Sequence, residues 1–228
     1  MDIRTIAELT IAQSPERVFH ALREPSAIRR WFGWEHAGLD DEIQFIFQTD
    51  AEVIEGGRVR FKGIDTTFSV DDHGPGSVLR VTTPGPDLGY DEVAEGFISF
   101  TQQLRFLLER HPDEDRKTLF LPTPARTPIE RARVARGKPI FGTFAALASV
   151  PVGAPYELSA AEPLQGEIWF RTAHQLGVTF DHGHALLILS RPPEQPHGTA
   201  ILTSFNDDDA AWTAQRERWL AFWKAECS

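Results

Sequence analysis

The sequence predicts an α+β protein of two successive units, each a curved antiparallel sheet closed by a long C-terminal helix. Three observations carry this. A half-buried strand and a short capped helix open the chain; a series of short alternating segments follows; and an unbroken apolar helical stripe closes the first half, after which the same order recurs in worn form. At 228 residues the chain has room for two domains of the usual size, roughly 100 to 150 residues each.

The opening strand is "TIAELTI", with Thr5, Ala7, Leu9 and Ile11 assigned to one face and Glu8 and Thr10 to the other. Ser14 then caps a helix whose first position suits Pro15, because proline's missing N–H needs no partner there. Val18, Phe19 and Leu22 form its buried stripe, and Pro25 and Gly33 punctuate its end. Ile43, Phe45 and Phe47 alternate with polar residues and predict a strand; after "EGG", Val59 and Phe61 alternate with Arg58, Arg60 and Lys62 in a second. Phe68 and Val70 continue the sheet, "DDHGPGS" reads as a turn and "VLRVTT" as a further strand. The closing helix is "YDEVAEGFISFTQQLRFLLERH", where Val93, Phe97, Phe100, Leu104 and Leu107 or Leu108 recur at steps of three and four. Asp91 and Glu92 lie at its start, where negative charge complements the helix dipole.

Pro112 and "DEDR" predict a break, which divides the chain into units 1–115 and 116–228. In the second unit Thr127 and Pro128 stand where the first has Ser14 and Pro15. "GEIWF" echoes "GGRVRF", and "LGVTF", "ALLIL" and "TAILTSF" read as strands. Trp212, Trp219, Phe222 and Trp223 repeat the spacing of Phe97, Leu104, Leu107 and Leu108 and read as anchors of a terminal helix. The second copy departs at its first helix, where Arg131, Arg133 and Arg136 replace the apolar stripe, and "FGTFAALASVPVGAPYEL" has no counterpart in the first.

Composition narrows the function. The 41% hydrophobic and 25% charged shares are those of a globular domain, and a net charge of -10 argues against nucleic acid and anionic lipid as partners. Without a basic, apolar leader or an apolar run of about 20 residues, neither a secretory signal nor a membrane span is expected, and the expectation is cytoplasmic. Cys227 is the single cysteine, so no internal disulfide can form, and it reads as an incidental thiol at a frayed end.

The stretch "SPERVFHALREPSAIRRWFG", followed by "GG.VRF" and the amphipathic closing helix, resembles the START-like (SRPBCC, helix-grip, birch-pollen-allergen-like) superfamily, in the branch of the activator of heat-shock protein 90 ATPase. The resemblance is strong over residues 1–110 and weak over 120–228, and implies a sheet wrapped around the long helix with a cavity between them that holds an apolar molecule; with the internal self-similarity, two tandem helix-grip repeats are expected. Trp31, Phe32, Phe45, Phe47, Phe61, Phe68, Phe97, Phe100 and Leu104 are then the expected ligand-binding residues. The same residues serve equally as a filled core. The leading expectation is a non-catalytic binder of a small apolar, amphipathic or lipid-like molecule. A chaperone-associated interaction module and a cyclase- or hydrolase-type enzyme are the alternatives, both resting on the resemblance.

Catalytic signatures are missing: there is no Gly-rich phosphate loop, "HExxH", "CxxC" or "GxSxG", so no catalytic residue and no cofactor is expected. His174, Asp181, His182 and His184 could meet around a metal, but Asp and Gly explain "DHGH" as a turn, and no metal site is assigned. Asp65, Asp71, Asp72 and His73 could act as acids or bases, but their spacing specifies no constellation and they read as a solvated turn. Arg58, Arg60 and Lys62 likewise read as a solvated sheet face.

Overall fold

The computed structural model describes residues 2–87, 89–123, 142–193, 198–205 and 207–227. They form two compact units, Met1–Glu114 and Asp115–Ser228. Each contains one antiparallel sheet and one long C-terminal helix, so the chain is α+β.

The first unit opens with strand β1 (Ile3–Ile11), then helices α1 (Pro15–Ala21), α2 (Pro25–Ile28) and α3 (Leu39–Ile43). Ser14 caps α1 by accepting from the Arg17 amide, and Pro25 starts α2 for the reason Pro15 starts α1. Strands β2 (Ala51–Ile54), β3 (Arg58–Phe61), β4 (Thr66–His73) and β5 (Gly76–Pro84) run as a meander, and β1 adds beside β5, giving the order β1-β5-β4-β3-β2. Helix α4 (Glu92–Arg110) closes the unit.

Four expectations are corrected here. Residues 43–48 are helical: α3 runs into a wider π-type coil over Gln44–Asp50. Leu39, Ile43 and Phe47, all buried, are spaced by four, which is one face of a helix, so Phe45 between them points away and is 63% exposed. In β1 the register slips between Thr5 and Ala7, so the bulge turns Thr5 to solvent and Arg4 inward. In the β4–β5 hairpin Asp71, Asp72 and His73 are the last residues of β4, and His73 pairs with Gly76 across a two-residue turn. Val93, expected in the buried stripe of α4, is 52% exposed, while Phe106 joins the buried side chains.

The second unit begins with β6 (Arg116–Leu121); the predicted helix at 127–137 lies outside the described residues. A 3-10 segment, Gly142–Ser149, leads to strands β7 (Pro155–Ser159), β8 (Pro163–Arg171), β9 (Gln175–Phe180), β10 (Ala185–Ser190) and β11 (Thr199–Phe205), ordered β6-β11-β10-β9-β8-β7. As in the first sheet, the first strand lies beside the last. Helix α5 (Asp209–Glu226) follows, with Trp219 and Trp223 buried against β9–β11 core residues and Trp212 and Phe222 partly buried beside them. Cys227 is 1% exposed and belongs to this core, which corrects its reading as a thiol at a frayed end. No helix among the described residues is long and apolar enough to cross a membrane.

Candidate functional site

The "WFG" turn is where the first unit joins helix, sheet and closing helix. The Trp31 indole N–H donates to the Ala21 carbonyl at 2.9 Å, tying the turn to the end of α1. Gly33 takes a left-handed φ of 62°, a conformation that glycine adopts without a Cβ clash, and its carbonyl accepts from Gln103 Nε2 of α4 at 3.3 Å. Phe32 is thereby fixed between the two.

From this turn a run of ring contacts crosses the unit. Phe32 meets Phe47 and Phe100, in each case with centroids 4.9 Å apart, and Trp31 meets Phe47 at 5.6 Å. Phe47 meets Phe61 at 5.2 Å, Phe61 meets Phe68 at 5.2 Å, and Phe68 meets Phe97 at 5.4 Å. These pairs are edge-to-face, the arrangement that sets the positive ring edge against the negative face. Strand alternation places Phe61 and Phe68 on the same side of the sheet as α4, and Phe97 and Phe100 lie one turn apart on the helix. At one end the rings reach water: Phe100 and Trp34 are half-buried and stand 6.4 Å apart.

Of the residues expected to bind a ligand, Trp31, Phe32, Phe47, Phe61, Phe68, Phe97 and Phe100 are in this one run. Leu104 is fully buried on α4. Phe45 stands apart, directed outward by its place on the coil. Trp34 is the ring that sequence reasoning missed; the aromatic directly after "WFG" was its available signal.

Charge frames the N-terminus of α4. Asp91 caps it, accepting from the amides of Val93 and Ala94, and its carboxylate also receives the Arg4 guanidinium brought inward by the β1 bulge. Partial burial pushes this carboxyl up, but the hydrogen bonds from Arg4 and from the Ala94 and Val93 amides outweigh it and hold the group below the ordinary aspartate value. The neighbouring Tyr90 phenol is pushed up, first by burial and then by the Glu92 and Glu95 carboxylates.

The candidate acids and bases do not join the rings. Asp71 has the strand parity of Ser69, opposite to Phe68, and pairs with Arg80 at 3.1 Å; Asp65 pairs with Arg60 at 2.6 Å. Asp72 and His73 are exposed at the end of β4, and Arg58 and Lys62 are exposed. In the second unit Asp181–Gly183 forms the single turn between β9 and β10, with positive φ at Asp181 and His182. Among the described residues no three His, Cys, Asp or Glu side chains are grouped closely enough to hold a metal ion.

A separate cleft of 260 Å³ lies at the far end of α4, between α1, α2 and the segment after the helix. Buried Ala21, Ala27, Leu107 and Leu108 floor it, and Arg17, His20, Arg30, Pro112 and Asp113 form its rim. The second unit offers a different surface: a depression of 420 Å³ beside Tyr156 and Gly166. Tyr156 is held there by its own hydroxyl, which donates to the Thr179 carbonyl at 2.9 Å, and burial pushes that phenol up. Between α5 and its sheet, Phe144 from the 3-10 segment stacks on Trp219 at 6.5 Å, so the stretch without a counterpart in the first unit fills the second.

No family model matches the chain, and no curated protein matches it. Two solved structures are similar over the whole chain. One is the crystal structure of DynU16, from the dynemicin biosynthetic locus, at 15% identity and a TM-score of 0.33, covering 100% of this chain and 97% of that one. The other is the di-domain ARO/CYC protein StfQ from the steffimycin biosynthetic pathway, at 12% identity and a TM-score of 0.32, covering 100% and 95%.

Proposed function

We propose that the first unit holds a small apolar or amphipathic molecule between its sheet and α4 and performs no reaction on it. The observation that carries this reading is the ring run itself, which passes from fully buried Phe61 and Phe68 to half-buried Phe100 and Trp34 at the surface. Apolar ligand sites are lined by such side chains, and a mouth requires that the lining reach water somewhere. Phe47 sits on the π-type coil, and such wide turns recur at functional sites. The pairing of carboxylates with arginines on the opposite sheet face supports binding over turnover. We further infer two tandem helix-grip repeats, a reading supported by the shared rule of strand order. The second repeat is the poorer binder, a reading supported by the packing of Phe144 on Trp219 of its closing helix. The chaperone-associated reading rests on the opening-segment resemblance alone.

Uptake of Nile red, a neutral apolar dye, tests the proposal. Phe100→Trp adds ring volume at the mouth and is expected to weaken dye affinity at least fivefold with an unchanged melting temperature. Equal affinity of the variant, or dye uptake by residues 116–228 alone, would overturn the assignment.

A further inference from the structure

We propose that the cleft between α1, α2 and the end of α4 is a second binding site, selective for a small organic anion with an apolar body, of the class of short monocarboxylates. Its chemistry is two-sided. The floor, Ala21, Ala27, Leu107 and Leu108, presents alkyl carbon that is itself only 1 to 4% exposed, so the gain on binding comes from the ligand's own apolar surface leaving water against it. The rim carries the guanidinium groups of Arg17 and Arg30 and the imidazole of His20, against one carboxylate, Asp113.

That local excess of cations stands out in a chain whose net charge is -10. Several other arginines of this unit are matched to carboxylates at short range, as in Arg60–Asp65 at 2.6 Å, Arg80–Glu8 at 2.7 Å and Arg29–Asp40 at 2.6 Å. Among the described residues the Arg17 guanidinium has only a 3.5 Å contact with Asp113, whose side chain is 89% exposed. Arg30 uses one nitrogen on the carbonyls of Pro112 at 3.1 Å and Glu114 at 3.5 Å. This fixes the guanidinium at the rim, and the rest of its planar fork has no partner among the described residues. A fixed arginine loses little freedom on binding a carboxylate, and a fork suits the two carboxylate oxygens. The volume is below the roughly 300 to 1,000 Å³ of sites for drug-sized molecules, which sets the ligand class as small.

The test uses the full chain, labelled with ¹⁵N and titrated separately with octanoate, octanol and acetate. Octanoate is expected to bind at least fivefold more tightly than either of the others and to shift the amide signals of Ala21, Ala27 and Leu108. Arg17→Gln, at an exposed position, is expected to weaken octanoate at least threefold with the melting temperature unchanged. Equal affinity for octanoate and octanol would overturn the proposal, as would an unaffected Arg17→Gln variant. Octanoate shifts confined to Phe61 and Phe68 would also overturn it, because they would place the anion among the rings.

Discussion

Asp91 does two jobs at the start of α4: it satisfies amides that the helix leaves unpaired, and it neutralises the inward Arg4. Replacing it with alanine removes both, and the expected cost is about 1–2 kcal/mol, read as a shift of the chemical-denaturation midpoint. Its titration gives a second readout. Because the folded-state value is depressed, the contribution is complete above the unfolded value, about pH 4, and is lost as pH falls through the folded one. Wild-type protein should therefore lose more stability than Asp91→Asn on acidification from about pH 5 to pH 2. Parallel acid profiles of the two proteins would show that Asp91 is not the titrating group.

Within the second sheet, β8 and β9 lie so close at Gly166 that a side chain is excluded there. A Cβ built on Gly166 would lie 1.8 Å from the Thr179 carbonyl oxygen, a backbone atom that also accepts the Tyr156 hydroxyl. Gly166→Ala must push β8 and β9 apart and is expected to cost about 3 kcal/mol, measured by thermal unfolding. Loss of the buried tyrosine's near-ultraviolet signal should accompany it. On the same hairpin Glu162 accepts from Trp219 Nε1 at 3.0 Å and Arg218 at 2.8 Å, so the β7–β8 turn fastens α5 through a carboxylate. The α3 coil shows the reverse case of an element misread: Ile43 and Phe47 satisfy a period of two and a step of four alike. Their burial together with Leu39 selects the helical step.

For the whole molecule, each unit has its own sheet, closing helix and buried side chains, which predicts that residues 1–115 expressed alone are soluble and unfold cooperatively. An aggregated fragment would favour a single intimate unit. The same fragment should retain the Nile red site, since every residue of the ring run is in it.

The sequence by itself determined most of the secondary structure, because strands β3 to β5 and both long helices carry periodicities that burial on one face imposes, while β9 to β11, buried on both faces, are short apolar runs. It also determined the "WFG" turn and the identity of seven rings that meet, since large apolar side chains on inward positions converge wherever one core exists. Only the tertiary structure decided which rings reach water, because Phe45 and Phe47 have the same chemistry and differ only in where the chain directs them. Only it brought Arg17 and Arg30 to the edge of an apolar floor built partly from α4, a meeting of residues far apart in the chain that no local pattern encodes. Local periodicity reports which face of an element is buried; the location of clefts and unmatched charges depends on long-range packing.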